Sequence, residues 1–224
     1  AIAALPDAAG HKVEILDANV TPMEQVKHRI RTANPTVVGI TSFTGPMLAG
    51  ALKLSQYARQ HTNATIVWGG VHASILPEQT LADPSVDVVV TYEGDFTYMQ
   101  LLENLTDGSR VPGIFYKVDG QIVSNPRRGL ISDLKVLPPF PWHLVDVEKY
   151  IIPWAQARRT LPLISSRGCP YRCTFCYNKV FNDQKWRGFP LSRITDEIDY
   201  LADRYNLDGV RFDAAWANPT CTPT

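Results

Sequence analysis

Several features that would assign a function class are missing from this chain of 224 residues. No apolar run approaches the about 20 residues that a membrane-spanning helix needs, and the first residues lack the basic flank of a signal peptide. Basic and acidic residues number 22 each, so the formal net charge is zero and gives no attraction to nucleic acid or an anionic membrane. No Gly-x-Gly-x-x-Gly sequence occurs, which argues against a dinucleotide site. The composition therefore predicts a globular protein whose partners are neither nucleic acid nor membrane.

Cysteine is also scarce, and three of the four cysteines lie within eight residues. Their spacing is C-x3-C-x2-C, formed by Cys169, Cys173 and Cys176. An upstream strand is predicted to end at Ser165 or Ser166 and to give way to a loop on which the three thiols converge. This clustering is not typical of a disulfide framework, so we expect a reducing cytoplasm as the location.

The clustered thiols predict a metal centre. Thiolates are soft ligands that suit zinc or an iron–sulfur cluster. Structural zinc takes four protein ligands, whereas the remaining cysteine, Cys221, lies far downstream. A cuboidal iron–sulfur cluster held by three cysteines has one iron without a protein ligand, and an open iron can bind and activate a substrate. The alternatives are a zinc loop completed by Cys221 or by another chain, and a disulfide.

Strands and helices alternate through the first half of the chain, which predicts an open parallel α/β sheet. Thr21 as N-cap, Pro22 at the first helical position and Glu24 two residues later indicate the start of one helix. An Asp-Gly pair at 119–120 predicts the turn of a β-hairpin. The predicted strands are 13–16, 37–41, 65–68, 86–90 and the hairpin at 113–124; the predicted helices are 1–9, 21–32, 46–61, 77–81 and 96–105.

Polar or glycine-rich residues follow three of these strands, where an open α/β sheet binds its ligands. They are Thr41 and Ser42, the run 69–72, and the run 93–95. A flat or phosphate-bearing cofactor is expected there. Each segment is weak evidence alone, because glycines after a strand often serve tight turns and His72 alone is more often a satisfied loop histidine.

The cysteine spacing, with the aromatic Phe175 just before the third cysteine, resembles that of the radical S-adenosylmethionine enzymes. The order of the strand ends looks like the cobalamin-binding domain that precedes many of them, among them anaerobic ring cyclases and C- and P-methylases. The resemblance implies a flavodoxin-like, Rossmann-type cobalamin-binding domain followed by the start of a partial (β/α)6 barrel. It also implies a [4Fe–4S] cluster whose free iron chelates S-adenosylmethionine, release of a 5′-deoxyadenosyl radical, and an external electron donor of the flavodoxin or ferredoxin type.

The resemblance also implies roles for individual residues. Arg187 is a further candidate for a carboxylate contact, with solvated surface as its alternative, and Ala214 and Ala215 stand where a second acidic residue is usual. The chain lacks the Asp-x-His-x-x-Gly signature of a histidine that ligates cobalt, an absence that is usual in the radical enzymes. The implied cluster ligands are Cys169, Cys173 and Cys176; the residues near S-adenosylmethionine are Phe175, Tyr177 and Asp213; the cobalamin site is Thr41, Ser42, Gly69, Gly70, His72, Glu93 and Gly94.

The expected organisation is a cobalamin-binding domain at 1–125, a proline-rich linker at 126–158, the first βαβ of a radical barrel at 159–216 and an irregular tail at 217–224. We expect a fragment that lacks the first strand of one domain and most of the barrel, and that does not turn over alone. The expected reaction is methyl transfer to an unactivated carbon, or a radical ring closure, on a small-molecule substrate. The rivals are a methylthiotransferase-like enzyme without cobalamin and a non-enzymatic redox or tetrapyrrole-sensing module.

Overall fold

The computed structural model describes residues 2–213 and divides the chain into two compact units, Ala1–Leu130 and Ile131–Thr224. Within the described residues, no helix is both long and apolar enough to cross a membrane. The predictions for residues 214–224, including Cys221 and the irregular tail, lie outside the described part. The predicted domain and linker boundaries remain predictions.

The first unit is built on a five-stranded sheet with strand order β1-β2-β3-β4-β5. Strands β1 to β3 are parallel, β4 runs antiparallel to β3, and β4 and β5 form a hairpin. The predicted α/β, Rossmann-like fold is confirmed for this unit. The strands are β1 (Val37–Thr41), β2 (Thr65–Gly69), β3 (Val88–Val90), β4 (Ile114–Val118) and β5 (Gln121–Ser124); the helices are α1 (Ala4–Ala8), α2 (Met23–Ala33), α3 (Pro46–His61), α4 (Gly70–Ile75), α5 (Pro77–Ala82) and α6 (Asp95–Glu103).

Helices cover both faces of this sheet, which explains its continuous apolar strands. One core cluster packs α2 and α3 against Ile66 and Trp68 of β2. The other packs Leu101 of α6 against Val67 and Val90. The alternate residues of β2 therefore point into two different cores, and the carboxyl ends of β1, β2 and β3 lie side by side at one edge.

The hairpin turn forms as the Asp-Gly pair predicts. Asp119 and Gly120 have φ angles of +50° and +79°, and Val118 pairs with Gln121 across the turn. Two consecutive residues with positive φ are the geometry that matches the right-handed twist of the flanking strands.

Two local predictions for the first unit are wrong, and one helix was missed. Residues 13–16 form no strand, because an alternating pattern alone does not supply a strand to pair with. Instead, Glu14 forms an ion pair with Arg29 of α2, with its carboxylate oxygens 2.6 and 2.9 Å from the Arg29 Nε. Helix α2 has Pro22 rather than Thr21 at its N-cap, without a side-chain cap. Helix α4 was not predicted, because six residues that start with glycine show no helical periodicity.

The second unit contains a three-stranded sheet with strand order β10-β7-β6. Strands β7 and β10 are parallel and α8 connects them, so they form one βαβ unit; β6 runs antiparallel to β7. Pro190 is the N-cap residue of α8, without a side-chain cap. The predicted partial barrel remains a prediction, because a single βαβ unit also fits an open sheet. The elements are β6 (Ile152–Trp154), β7 (Ala157–Leu163), β8 (Ser166–Arg167), α7 (Asn178–Phe181), β9 (Arg187–Gly188), α8 (Leu191–Tyr205) and β10 (Gly209–Phe212).

Helix α8 packs on this sheet and also anchors the proline-rich segment of the second unit. Leu201 of α8 is buried with Leu161 and Leu163 of β7. Arg193 donates to the carbonyl oxygens of Leu137 and Pro138 at 2.7 and 2.9 Å. The proline-rich segment is therefore bound to the helix, with short 3₁₀ turns along its length.

Candidate functional site

The carboxyl ends of β1, β2 and β3 are joined by hydrogen bonds. The backbone N–H of His72 in α4 donates to the carbonyl oxygen of Ser42, after β1, at 3.3 Å. The Ser74 hydroxyl donates to the Gly70 carbonyl at 2.7 Å and accepts from the N–H of Tyr92, after β3, at 2.7 Å. Helix α4 thus connects all three strand ends. We call the carboxyl ends of β1, β2 and β3, together with the loop and the first helical turn that follow each of them, the strand-end edge.

His72 contributes to the strand-end edge from inside. Its side chain is only 6% exposed, and its Nδ1 lies 3.0 Å from the Thr44 hydroxyl. This hydrogen bond links α4 to the loop that follows β1. The structure therefore shows His72 hydrogen-bonded within the protein, and its place in a cobalamin site remains a prediction.

Two of the predicted glycines are required by packing. Gly70 has a φ of +87°, and a Cβ there would lie 2.5 Å from the Thr41 hydroxyl oxygen. Gly94 is buried, and a Cβ there would lie 2.9 Å from Cγ1 of Val90 and 3.0 Å from Cδ1 of Ile2. Both glycines are needed because side chains of this same chain pack closely against them, and close approach of a ligand is not required to explain them.

The predicted cobalamin-site residues fall into two groups. Thr41, Gly69 and Gly70 are exposed or half-buried at the strand-end edge, whereas the other four are buried beneath it. The buried ones are Ser42, His72, Glu93 and Gly94. The second group shapes the strand-end edge, and the first is available to a ligand.

Sequence reasoning missed two exposed apolar side chains, Phe43 on the loop after β1 and Met47 in the first turn of α3. Phe43 is 54% exposed and Met47 is 45% exposed. Between them Gly45 has a φ of +132°, with open space where a Cβ would stand. Large apolar side chains in a segment otherwise rich in polar residues were the available signal.

The three-cysteine loop is an excursion from the short ladder of β8 and β9. Ser166 pairs with Gly188 and Arg167 with Arg187 at its base. Just beyond, Gly168 has a φ of +77°, and a Cβ there would collide with the Lys185 carbonyl oxygen. The loop from 168 to 186 is thus closed at its base.

The three thiols on this loop are all free, so the structure contradicts a disulfide among them. Cys173 is exposed, and Cys169 and Cys176 are half-buried. Within residues 2–213, no three cysteine, histidine or acidic side chains are grouped so that they could hold one metal ion. The loop therefore shows no preformed single-ion site, and the ligand role of the three cysteines remains a prediction.

The aromatic residues of the loop differ in environment. Phe175 is 92% exposed. The Tyr177 ring lies edge-on to Phe181, with 5.9 Å between centroids. Partial burial, and secondarily the neighbouring Cys176, raises the pKa of the Tyr177 hydroxyl. A place beside an adenosyl group remains a prediction for both residues.

The two predicted carboxylate-related residues already have protein partners. Asp213 accepts from Nε and Nη2 of Arg211 at 2.8 and 3.0 Å, and the Arg211 guanidinium lies 4.7 Å from the centroid of the Trp154 ring. Arg187 is half-buried and donates to the Ile131 carbonyl at 2.7 Å. Arg187 is therefore not solvated surface, and its carboxylate contact remains a prediction.

Comparison with known proteins bears on both the strand-end edge and the three-cysteine loop. Residues 1–102 match the B12 binding domain family. An uncharacterized methyltransferase of Pyrococcus horikoshii is 30% identical over 90% of this chain and 45% of its own length. The anaerobic magnesium-protoporphyrin IX monomethyl ester cyclase of Rubrivivax gelatinosus is 30% identical over 82% of this chain and 34% of its own length.

A solved structure gives the same result for the fold. The cobalamin-dependent S-adenosylmethionine radical enzyme OxsB, with aqua-cobalamin and S-adenosylmethionine bound, superposes with a TM-score of 0.71. It is 24% identical and covers 95% of this chain and 30% of its own chain. The chain contains a B12-binding domain of the cobalamin-dependent radical S-adenosylmethionine enzymes. The chain spans less than half the length of these relatives. The activity of a complete relative is therefore not assigned to this chain.

The B12-binding domain offers residues that fit a corrin ring. A corrin is flat and largely apolar on its faces, and the strand-end edge presents exposed Phe43 and Met47 beside the open backbone at Gly45.

The three thiols of the three-cysteine loop likewise fit an iron–sulfur cluster. Each thiolate binds a different iron in such a cluster, so the three sulfurs need not approach one another as closely as around a single ion.

Proposed function

We propose that this chain binds cobalamin at the strand-end edge and a [4Fe–4S] cluster on Cys169, Cys173 and Cys176. It would serve a radical S-adenosylmethionine reaction that methylates an unactivated carbon or closes a ring on a small-molecule substrate. The observation that carries the proposal is one chain with both a B12-binding domain and three free thiols at C-x3-C-x2-C spacing on a closed loop. The two kinds of relative, a methyltransferase and a cyclase, support the two reaction types.

In this proposal, cobalamin and the [4Fe–4S] cluster supply the difficult chemistry, and the protein positions them. When bound, the cluster would donate an electron to S-adenosylmethionine, and cobalamin would act as a carrier of one-carbon groups or electrons. Thr41 offers a hydroxyl to the amide groups at the rim of a corrin, while Phe43 and Met47 exclude water from its face. Phe175 is proposed to pack on the adenosyl group. An external donor of the flavodoxin or ferredoxin type is part of the same proposal.

Cobalamin binding is tested by titrating the 224-residue chain with hydroxocobalamin and following corrin absorbance after gel filtration. The double variant Phe43→Ser/Met47→Ser should bind about tenfold or more weakly, because two half-exposed apolar side chains lose burial worth about 2 kcal/mol in total. The matched control is Val118→Ser/Ile122→Ser, which removes two other exposed apolar side chains, on the hairpin. Absence of corrin absorbance in the purified wild-type complex would sink this half of the proposal.

Cluster binding is tested by anaerobic reconstitution with iron and sulfide. The wild-type chain should bind iron and show an electron paramagnetic resonance spectrum that changes when S-adenosylmethionine is added, because one iron is open. Replacing the three clustered cysteines by alanine should abolish iron binding, and Cys221→Ala should leave it unchanged. Loss of metal in Cys221→Ala, or tight binding of zinc in place of iron, would instead support the closed zinc loop.

A further inference from the structure

The interior of the three-cysteine loop is made of amide side chains. Between positions 169 and 186 only Asn178 and Asn182 are buried, at 5% and 8% exposure. A loop that packed by apolar contact alone would place aliphatic side chains there. Buried amides are normally found where the backbone needs hydrogen bonds.

Asn178 satisfies the backbone of the first cysteine. Its Nδ2 donates to the carbonyl oxygen of Cys169 at 2.5 Å, across nine positions of the chain. Cys169 follows Gly168, whose positive φ and contact with Lys185 fix the chain at the base of the loop. The first cysteine is therefore held from both sides, by the base of the loop and by α7.

The other two cysteines are held in a different way. The backbone N–H of Cys176 donates to the carbonyl of Cys173 at 3.1 Å, which makes a single turn of these residues. The N–H groups of Val180 and Phe181 both donate to the Tyr177 carbonyl at 3.0 and 2.9 Å, so α7 begins directly after that turn. The Asn178 amide thus connects the Cys173–Cys176 turn to Cys169, through α7.

We propose that Asn178 is a positioning residue that fixes the first cluster ligand relative to the other two; this rests on the proposed cluster. It acts through the Cys169 backbone, as groups beyond the ligands do in other metal centres, where their loss weakens metal binding. Asn182 is the natural comparison. It is also buried on the same loop, but its Oδ1 accepts from Nη2 of Arg187 at 3.4 Å, at the base of the loop.

The first experiment uses the metal-free 224-residue chain and iodoacetamide, with the alkylation rate of each cysteine read by mass spectrometry. In Asn178→Ala and Asn178→Asp, the rate at Cys169 relative to Cys173 should rise about fivefold, which is the effect of losing one net hydrogen bond. Asn178→Asp keeps the size of the side chain and removes the donor, so it controls for a cavity. In Asn182→Ala the ratio should stay at the wild-type value.

The second experiment reconstitutes the same variants with iron and sulfide and challenges them with a chelator. Both Asn178 variants should retain iron about tenfold more weakly than wild type and Asn182→Ala. Equal Cys169 reactivity in all four proteins, or an equal change in Asn182→Ala, overturns the proposal. A wild-type chain that takes up no iron contradicts the proposed function instead, and the alkylation result is independent of it because no metal is present.

Discussion

At the scale of single residues, Gly70 and Gly168 each decide whether a predicted site can form. Both have positive φ angles, of +87° and +77°, and both face protein atoms where a side chain would begin. Gly70 lies at the strand-end edge and Gly168 at the base of the three-cysteine loop. An L-residue at either position meets an unfavourable backbone conformation and a steric clash together.

Gly168→Ala should destabilise the second unit by about 1–3 kcal/mol, because both effects must be relieved by movement of the loop. Urea unfolding of the chain, with proteolysis at the loop as a local probe, measures the change. Gly129→Ala is the control, since nothing lies within 4 Å of a Cβ there and its φ is not positive; it should stay within about 0.5 kcal/mol of wild type. Equal stability of the two variants would contradict the structural role of Gly168.

Trp68 offers a second test at this scale. Its indole N–H donates to the Ser55 hydroxyl at 3.0 Å, and Ser85 donates to the same oxygen at 2.9 Å, all within the first core. Ser55→Ala leaves the buried indole N–H without this acceptor and should cost about 1–3 kcal/mol. Thermal unfolding with Trp fluorescence reads the change, and the exposed Ser109→Ala should show little. A melting temperature equal to wild type in Ser55→Ala would refute the network's contribution.

At the scale of elements, the end of α8 shows how a helix is joined to its sheet. Arg159 of β7 donates from Nε and Nη2 to the Tyr205 carbonyl at 3.1 and 2.9 Å, which satisfies a carbonyl at the end of the helix. Asp208, just after α8, accepts from the backbone N–H groups of Arg158 and Arg159 at 3.0 and 2.7 Å. These backbone donors lower the pKa of the Asp208 carboxyl below its ordinary value.

The lowered pKa makes the contribution of Asp208 depend on pH. A depressed folded-state pKa means that the stabilisation is present above pH about 4 and is lost as the pH falls through the folded-state value. The difference in urea midpoint between wild type and Asp208→Asn should therefore be full at pH 7 and shrink below pH 4. Asp203→Asn, on the exposed surface of α8, is the control. A difference that is constant from pH 7 to pH 3 would exclude the carboxylate as its source.

Elements with local signals could be predicted from the sequence, and elements that depend on distant contacts could not. Pro46 marks the start of α3, and Asp119 with Gly120 marks the hairpin turn; both signals act within a few residues. The strand at 13–16 failed because alternation does not supply a pairing partner. Likewise, spacing identified the cysteine motif, but the amide of Asn178 reaches Cys169 only in the folded loop.

At the scale of the whole molecule, the two units carry different proposed sites. The strand-end edge lies in residues 1–130 and the three-cysteine loop in residues 131–224. We therefore expect the two sites to bind their groups separately. The triple cysteine-to-alanine variant should bind hydroxocobalamin within about twofold of wild type, and Phe43→Ser/Met47→Ser should retain iron normally. Binding titrations check both, and loss of corrin binding on removal of the thiols would show that the two sites depend on each other.

Strand β1 has a strand neighbour on one side only within residues 2–213, and Gly39 and Thr41 on it are exposed. Backbone donors and acceptors along an open parallel edge can recruit an identical edge from another copy. The chain should therefore oligomerise at high protein concentration, with a rise in scattered light, and should stay monodisperse at low protein concentration. Affinities for either cofactor would then vary with protein concentration, so a dilution series belongs in every titration.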